Sequence, residues 1–147
     1  MPGVEWQRCI VHLMRNVLCH VPAKAMSEVA EDLKVIFKVR REKTARALSE
    51  EFVSLYEGRF PKAISVFEAG IGHALTYLRY PGSHHGRIRS TNLPERLFKE
   101  VKRRTRVVGV FPNEASASTL ATEIMLRSSE EWALKRYLTM VWTPSKQ

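Results

Sequence analysis

Arg87–Pro112 reads RIRSTNLPERLFKEVKRRTRVVGVFP, and the periodicity of this stretch decides how the chain is built. Set on a helical wheel at ~100° per residue, Leu93–Arg106 separates into two sides. Leu97, Phe98 and Val101 form one apolar arc, which predicts a helix docked on a core through those side chains. Glu95, Lys99, Lys102 and Arg106 fall on a separate stripe, within ~60° of one another. Residues 87–106 carry eight Lys/Arg (Arg87, Arg89, Arg96, Lys99, Lys102, Arg103, Arg104, Arg106) against two acids, Glu95 and Glu100. Six of the chain's nine net positive charges therefore lie in this one segment.

The same three- and four-residue spacing extends outward from it. Apolar residues recur at Met26, Val29, Leu33, Ile36 and Phe37, then at Ala45, Leu48, Phe52 and Tyr56, then at Ile64, Phe67, Ile71, Leu75 and Leu78. Pro22 and Pro61 stand where helices would begin. Asn113 is placed to cap a helix through Leu120 and Ile124, and Ser128 with Glu131 reads as a capping box before Trp132. The clearest break is Tyr80-Pro81-Gly82-Ser83, which separates a helical block over 22–79 from the basic segment. Val107–Phe111 is the only strand candidate, and an extended loop fits it equally. The fold class is mainly α.

A chain of 147 residues that is 44% hydrophobic has the size and apolar content of a globular domain with a core. A net charge of +9 and a pI near 9.9 call for a polyanionic partner. DNA, RNA and an anionic membrane surface all satisfy that charge. Cys9 and Cys19 make no disulfide framework, so a reducing, cytoplasmic location is expected. The start, MPGVEWQRC, lacks the charged and apolar regions of a signal peptide, and no apolar run approaches the ~20 residues of a membrane span.

Glu95 carries two readings. A carboxylate below phosphate-reaching cations is suited to holding a divalent metal beside a nucleic-acid backbone. Equally, Asn92-x-x-Glu95 with Pro94 between them matches an N-cap, a proline at the first helical position and a glutamate closing a capping box. A second constellation lies in Trp6–Asn16. As a helix it puts Ile10, Leu13, Met14, Val17 and Leu18 on one arc, with Cys9, His12 and Asn16 on the opposite edge. Cys9 and His12 have ligand-like spacing for zinc, but His20, Cys19, His84 and His85 supply no second paired signature. Hydrogen bonding and packing by Cys9 and His12 is the plainer expectation. His84 and His85 lie in a loop facing phosphate or solvent, and His73 reads as a helix-surface residue.

The absences restrict the chemistry. Two-metal cleavage of a nucleic acid usually requires three carboxylates flanking the scissile phosphate. The chain has a single aspartate, Asp32, which shares a helix with Glu28 and Glu31 and reads as part of a solvated face. No glycine-rich phosphate loop, G-x-S-x-G elbow, zinc finger or homeodomain pattern is present.

Trp6-Gln7-Arg8-Cys9-x-x-His12-x-x-Arg15-Asn16 resembles the Cys/Asp-x-x-His signature of the Mutator-type DDE transposases of bacterial insertion sequences. His84-His85-Gly86-Arg87-Ile88-Arg89-Ser90-Thr91-Asn92-x-x-Glu95-Arg96 is similar to the segment bearing that family's third catalytic acid. Lys102 matches the basic residue that follows it, and Arg103–Asn113 continues the likeness, so the resemblance runs along essentially the whole chain in order. It implies the C-terminal part of a ribonuclease-H-like DDE catalytic domain: 1–21 ending the core with the Cys9/His12 helix, 22–86 as a helical insertion, and 87–147 holding the acid-bearing helix and C-terminal helices.

By that resemblance Glu95 is the catalytic and metal-binding acid, while Cys9, His12, Arg15 and Asn16 form a structural motif. Arg87, Arg89, Lys99, Lys102, Arg103, Arg104 and Arg106 face DNA. The implied reaction is Mg²⁺- or Mn²⁺-dependent cleavage and strand transfer at the ends of a mobile element. One metal activates water or a 3′-hydroxyl and the other steadies the leaving oxygen. The implied partners are element ends and target DNA, with a homo-oligomer in the complete enzyme. The family's two aspartates precede its Cys-x-x-His segment, where this sequence begins, and Pro94 stands where an aliphatic residue is usual. The expectation is a truncated, frameshifted or decayed reading frame that lacks most of its sheet, exposes apolar surface and is inactive alone. The alternatives are a helical DNA-binding fragment without catalysis, in which Glu95 only caps, and an RNA-binding helical protein.

Overall fold

The structure, a computed structural model, describes residues 5–133. Seven α-helices follow one another: α1 (Ile10–Leu18), α2 (Ala23–Lys38), α3 (Glu42–Tyr56), α4 (Pro61–Ala74), α5 (His85–Ile88), α6 (Asn92–Val108) and α7 (Glu114–Ala133). A 3₁₀ turn at Thr76–Arg79 follows α4, and the described residues contain no strand. They form two compact units, the first ending at Ser90 and the second beginning at Thr91.

The first unit is built where the apolar spacing predicts. Val29, Leu33, Ile36 and Phe37 of α2, Ala45, Phe52 and Tyr56 of α3, and Ile64 and Phe67 of α4 are buried together with Leu13 and Val17 of α1. Burying each large side chain stabilises the unit by about 1.5–3 kcal/mol. Met26 is the exception, lying at the exposed border of α2. Pro61 takes the first position of α4, whereas Pro22 stands one residue earlier, as the N-cap of α2. Leu75 and Leu78 belong to the region of the 3₁₀ turn, where the chain tightens before the break at Tyr80–Ser83.

α1 runs antiparallel to α4 and approaches it closely at one point. A methyl group on Gly70 would lie 2.6 Å from Cδ1 of Leu13 and 2.8 Å from a guanidinium nitrogen of Arg8, so the crossing requires glycine. The segment entering α1 is held by hydrogen bonds with large sequence separation. Arg8 N–H donates to His73 C=O at 3.0 Å, Gln7 Nε2 to Ala74 C=O at 3.0 Å, and Tyr77 N–H to Gln7 Oε1 at 2.6 Å. Ile10 N–H reaches Arg89 C=O at 3.0 Å.

Asp32 does not lie on a freely solvated face. It is half-buried and accepts a 2.6 Å hydrogen bond from Tyr56 Oη, whose ring is itself buried. The Tyr56 phenol is held well above its usual value by burial and by the adjoining Asp32 and Glu28 carboxylates. Arg59 pairs with Glu28 at 3.0 Å and lies over the rings of Tyr56 and Phe60.

The described residues of the second unit form a hairpin in which α7 packs on α6. Leu97 and Val101 are half-buried on the face towards α7, and Ile124 of α7 is the one fully buried apolar residue among the described part of this unit. Three sequence expectations change here. Val107–Phe111, whose sequence fits a strand or an extended loop equally, forms no strand: α6 continues through Val108, helix propagation overriding the β preference of its valines, and the loop starts only at Gly109. Phe98, placed on the docking arc by the wheel, is 63% exposed. Ser128 starts no helix, since it lies inside α7 with its hydroxyl donating to Ile124 C=O at 2.8 Å. Asn113 does cap α7, its Oδ1 accepting from Ser116 N–H at 2.8 Å.

α6 stops at Gly109, whose φ of 74° and ψ of −81° close a γ-turn, with Val110 N–H donating to Val108 C=O at 3.0 Å.

Candidate nucleic-acid interface around Glu95

α6 begins one residue earlier than the capping box predicts. Thr91 is its N-cap, Asn92 is already helical, and Pro94 lies inside the first turn, where a missing N–H leaves no helical bond unmade. The Thr91 hydroxyl donates to the Glu95 carboxylate at 2.5 Å, and Glu95 N–H donates to Thr91 C=O at 3.1 Å. Glu95 is thereby fixed at the exposed start of the helix instead of reaching back from Asn92.

Asn92, Glu95, Arg96 and Lys99 line a shallow depression on this surface. Lys99, Lys102 and Arg106 continue along the same side as exposed residues, at the i+4, i+7 and i+11 positions that return to Glu95's face. The stripe drawn on the wheel is therefore solvent-facing throughout. Arg96, off the stripe on the wheel, also lines the Glu95 depression.

The remaining cations are distributed differently. Arg103 and Arg104 both bind Glu100, at 2.8 and 2.7 Å. Those two guanidinium groups hold the Glu100 carboxyl down at about 2 from an ordinary value of 4.5. Their charge is partly compensated within the helix. Arg87 lies exposed in α5, in the first unit. Arg89 is half-buried there, its guanidinium hydrogen-bonded to the Tyr77 phenol, which burial pushes up and Arg89 partly draws back. Part of Arg89's role is thus to hold the first unit together. Sequence periodicity could not reveal that, because Tyr77 and Arg89 belong to different elements.

Cys9 is buried at the N-cap of α1, while His12, Arg15 and Asn16 are exposed along that helix. Among the described residues, no three His, Cys, Asp or Glu side chains stand close enough together to hold a metal ion, around Cys9 and His12 or around Glu95. His85 is not a loop residue turned to solvent: it starts α5, its ring meets Tyr77 edge-on at 5.0 Å, and its Nε2 lies 2.8 Å from Tyr80 C=O. His73 is exposed, as expected, and packs against Trp6 with ring centroids 5.3 Å apart.

This arrangement, a carboxylate at a helix start with cations along the same face and the Cys9/His12 helix in the other unit, can be set against known proteins. The family model described as "Transposase, Mutator family" matches residues 1–135. The chain belongs to the Mutator family of transposases. It is similar to the transposase for insertion sequence element ISRM5 of Rhizobium meliloti (strain 1021), with 36% identity over 95% of this chain and 35% of that protein. It is also similar to the transposase for IS256 in transposon Tn4001 of Staphylococcus aureus, 35% identical over 88% of this chain and 34% of the relative. The transposase for IS406 of Burkholderia multivorans is 33% identical over 90% of this chain and 34% of its own length. This Mutator-family chain thus spans about a third of the length of the relatives it matches. No helix among its described residues is long and apolar enough to cross a membrane.

Proposed function

We propose that this chain supplies the acid-bearing helix and part of the DNA-contacting surface of an insertion-sequence transposase, which cleaves DNA and transfers strands at the ends of its element. The observation that carries this reading is the face of α6: Glu95 anchored by Thr91 at its start, with Lys99, Lys102 and Arg106 exposed along the same side. Cations in a row on a rigid helix suit a phosphate backbone, whose charges repeat regularly and whose binding is largely electrostatic. The relatives' names, all transposases for insertion sequence elements, supply the substrate class.

In this reading α6 belongs to a ribonuclease-H-like catalytic domain, Glu95 is its third acid, and Mg²⁺ or Mn²⁺ is the cofactor. Among the described residues no group of three His, Cys, Asp or Glu side chains could hold a metal ion, so in this reading the other carboxylates lie outside them. Arg103 and Arg104 contribute less to DNA than Lys102 and Arg106, since Glu100 already holds both. Assembly as a homo-oligomer on paired element ends belongs to the same reading. A second reading is a DNA-binding fragment without catalysis, in which Glu95, held by the Thr91 hydroxyl, only caps α6.

A chimera separates the two. When this chain replaces the matching stretch of the ISRM5 transposase, metal-dependent cleavage of element-end DNA is expected, and Glu95→Gln should lower it by at least about a hundredfold. Cleavage that survives Glu95→Gln removes Glu95 from the chemistry. DNA binding without cleavage in the unaltered chimera favours the second reading.

A further inference from the structure

Phe98 is a large aromatic side chain, 63% exposed, on a helix whose apolar contacts are made by other residues. Leu97 and Val101, on the neighbouring arc of α6, are half-buried, and α6 packs on α7, so among the described residues Phe98 is left outside that packing. On α6, Phe98 lies three residues from Glu95 and four from Lys102, the spacings at which helical side chains are neighbours. Lys99, Lys102 and Arg106, all exposed, lie with Glu95 along one flank of the ring, at about 40–100° from it on the helix. An isolated exposed apolar residue is ordinary on a protein surface. An exposed ring bordered by a carboxylate and three cations is a different case, because those charges set what covers it. An apolar protein surface seated on Phe98 would have to desolvate the neighbouring charges. A nucleotide would not, since its phosphate takes the cations and its base takes the ring.

Resting on the DNA-binding reading above, we infer that Phe98 is a stacking platform for an unpaired DNA base beside Glu95, with Lys99, Lys102 and Arg106 on the adjoining phosphates. The class of ligand is single-stranded or frayed DNA at a strand end. Intact duplex would meet the same cations and leave the ring unused, because wedging it between stacked bases costs a few kcal/mol of unstacking.

The test uses the 147-residue chain with two duplexes of equal length. One is blunt, and the other carries an unpaired 3′ tail of about five nucleotides containing 2-aminopurine, short enough to lie within one stacking groove. Phe98→Ala is expected to weaken binding of the tailed DNA about 5- to 150-fold, the range for losing one stacked base, and to leave the blunt duplex within about twofold. Quenching of 2-aminopurine should accompany binding by the parent chain and by Phe98→Trp, and be lost in Phe98→Ala. Circular dichroism matching the parent confirms that the variant is folded.

Equal weakening on both DNAs, or none on either, overturns the inference. So does a change in sedimentation of Phe98→Ala with DNA binding intact, which assigns the ring to a protein contact. Tighter binding of a matched RNA tail than of the DNA tail also overturns it. The doubly substituted Lys102→Ala, Arg106→Ala chain tells this failure from that of the underlying reading. If it binds both DNAs as well as the parent does, the DNA-binding face itself is wrong. If it weakens both while Phe98→Ala weakens neither, only the stacking role is lost.

Discussion

Gly70 and Tyr56 show how much of this molecule turns on single side chains. A Cβ at position 70 would stand 2.6 Å from Leu13, and both sides of that contact are packed helices, so neither yields cheaply. Gly70→Ala should therefore lower the unfolding free energy by about 1–3 kcal/mol, even though alanine is the better helix former, and Leu13→Val in the same chain should restore part of the loss. Denaturant titration of the single and double variants measures it. Tyr56→Phe removes the donor to Asp32 and leaves a half-buried carboxylate without that partner, with an expected cost of about 1–3 kcal/mol. Asp32 also illustrates what a pattern cannot show. Its neighbours Glu28 and Glu31 make the stretch look uniformly solvated, whereas the partner that draws Asp32 in lies on another helix.

Among the elements, the helices of the first unit are legible from apolar spacing because a single burial face enforces a single period. Helix ends are less legible: Thr91 and Asn92 are both good N-caps one residue apart, and the Thr91–Glu95 contact selects the first. Phe98 was misplaced for a geometric reason. On the wheel it lies midway between Val101 and Glu95, so periodicity assigns it to either side, and packing on α7 selects Leu97 and Val101 instead. The candidate site was legible to the same extent: the stripe from Glu95 to Arg106 follows from spacing alone, while the capture of Arg103 and Arg104 by Glu100 depends on rotamers.

That capture has a pH consequence. The Glu100 carboxyl titrates lower in the folded chain than unfolded, so its contribution to α6 is fully present above the ordinary 4.5. It is lost as pH falls towards about 2. Helicity followed across this window should fall more in the parent than in Glu100→Gln; equal profiles would mean the pairs are not formed in solution.

Across the whole molecule, stability is expected to be uneven. The first unit buries residues from all four of its long helices, whereas the described part of the second buries one apolar residue, Ile124. Helices with little tertiary burial are marginal in water. Amide exchange in α6 and α7 should therefore be faster than in α2 and α4, and on the proposed reading added DNA should slow it selectively in α6. Uniform protection across both units would contradict this division.

The γ-turn at Gly109 gives α6 a fixed length. From Glu95 to Arg106 is about 16 Å at ~1.5 Å per residue. One DNA strand presents a phosphate every ~3.4 Å along its axis, so on the proposed DNA-binding reading the helix would act as a ruler covering about five of them. Gly109→Ala, strained by about 1–3 kcal/mol at a positive φ of 74°, would blur the end of that ruler without removing a single cation.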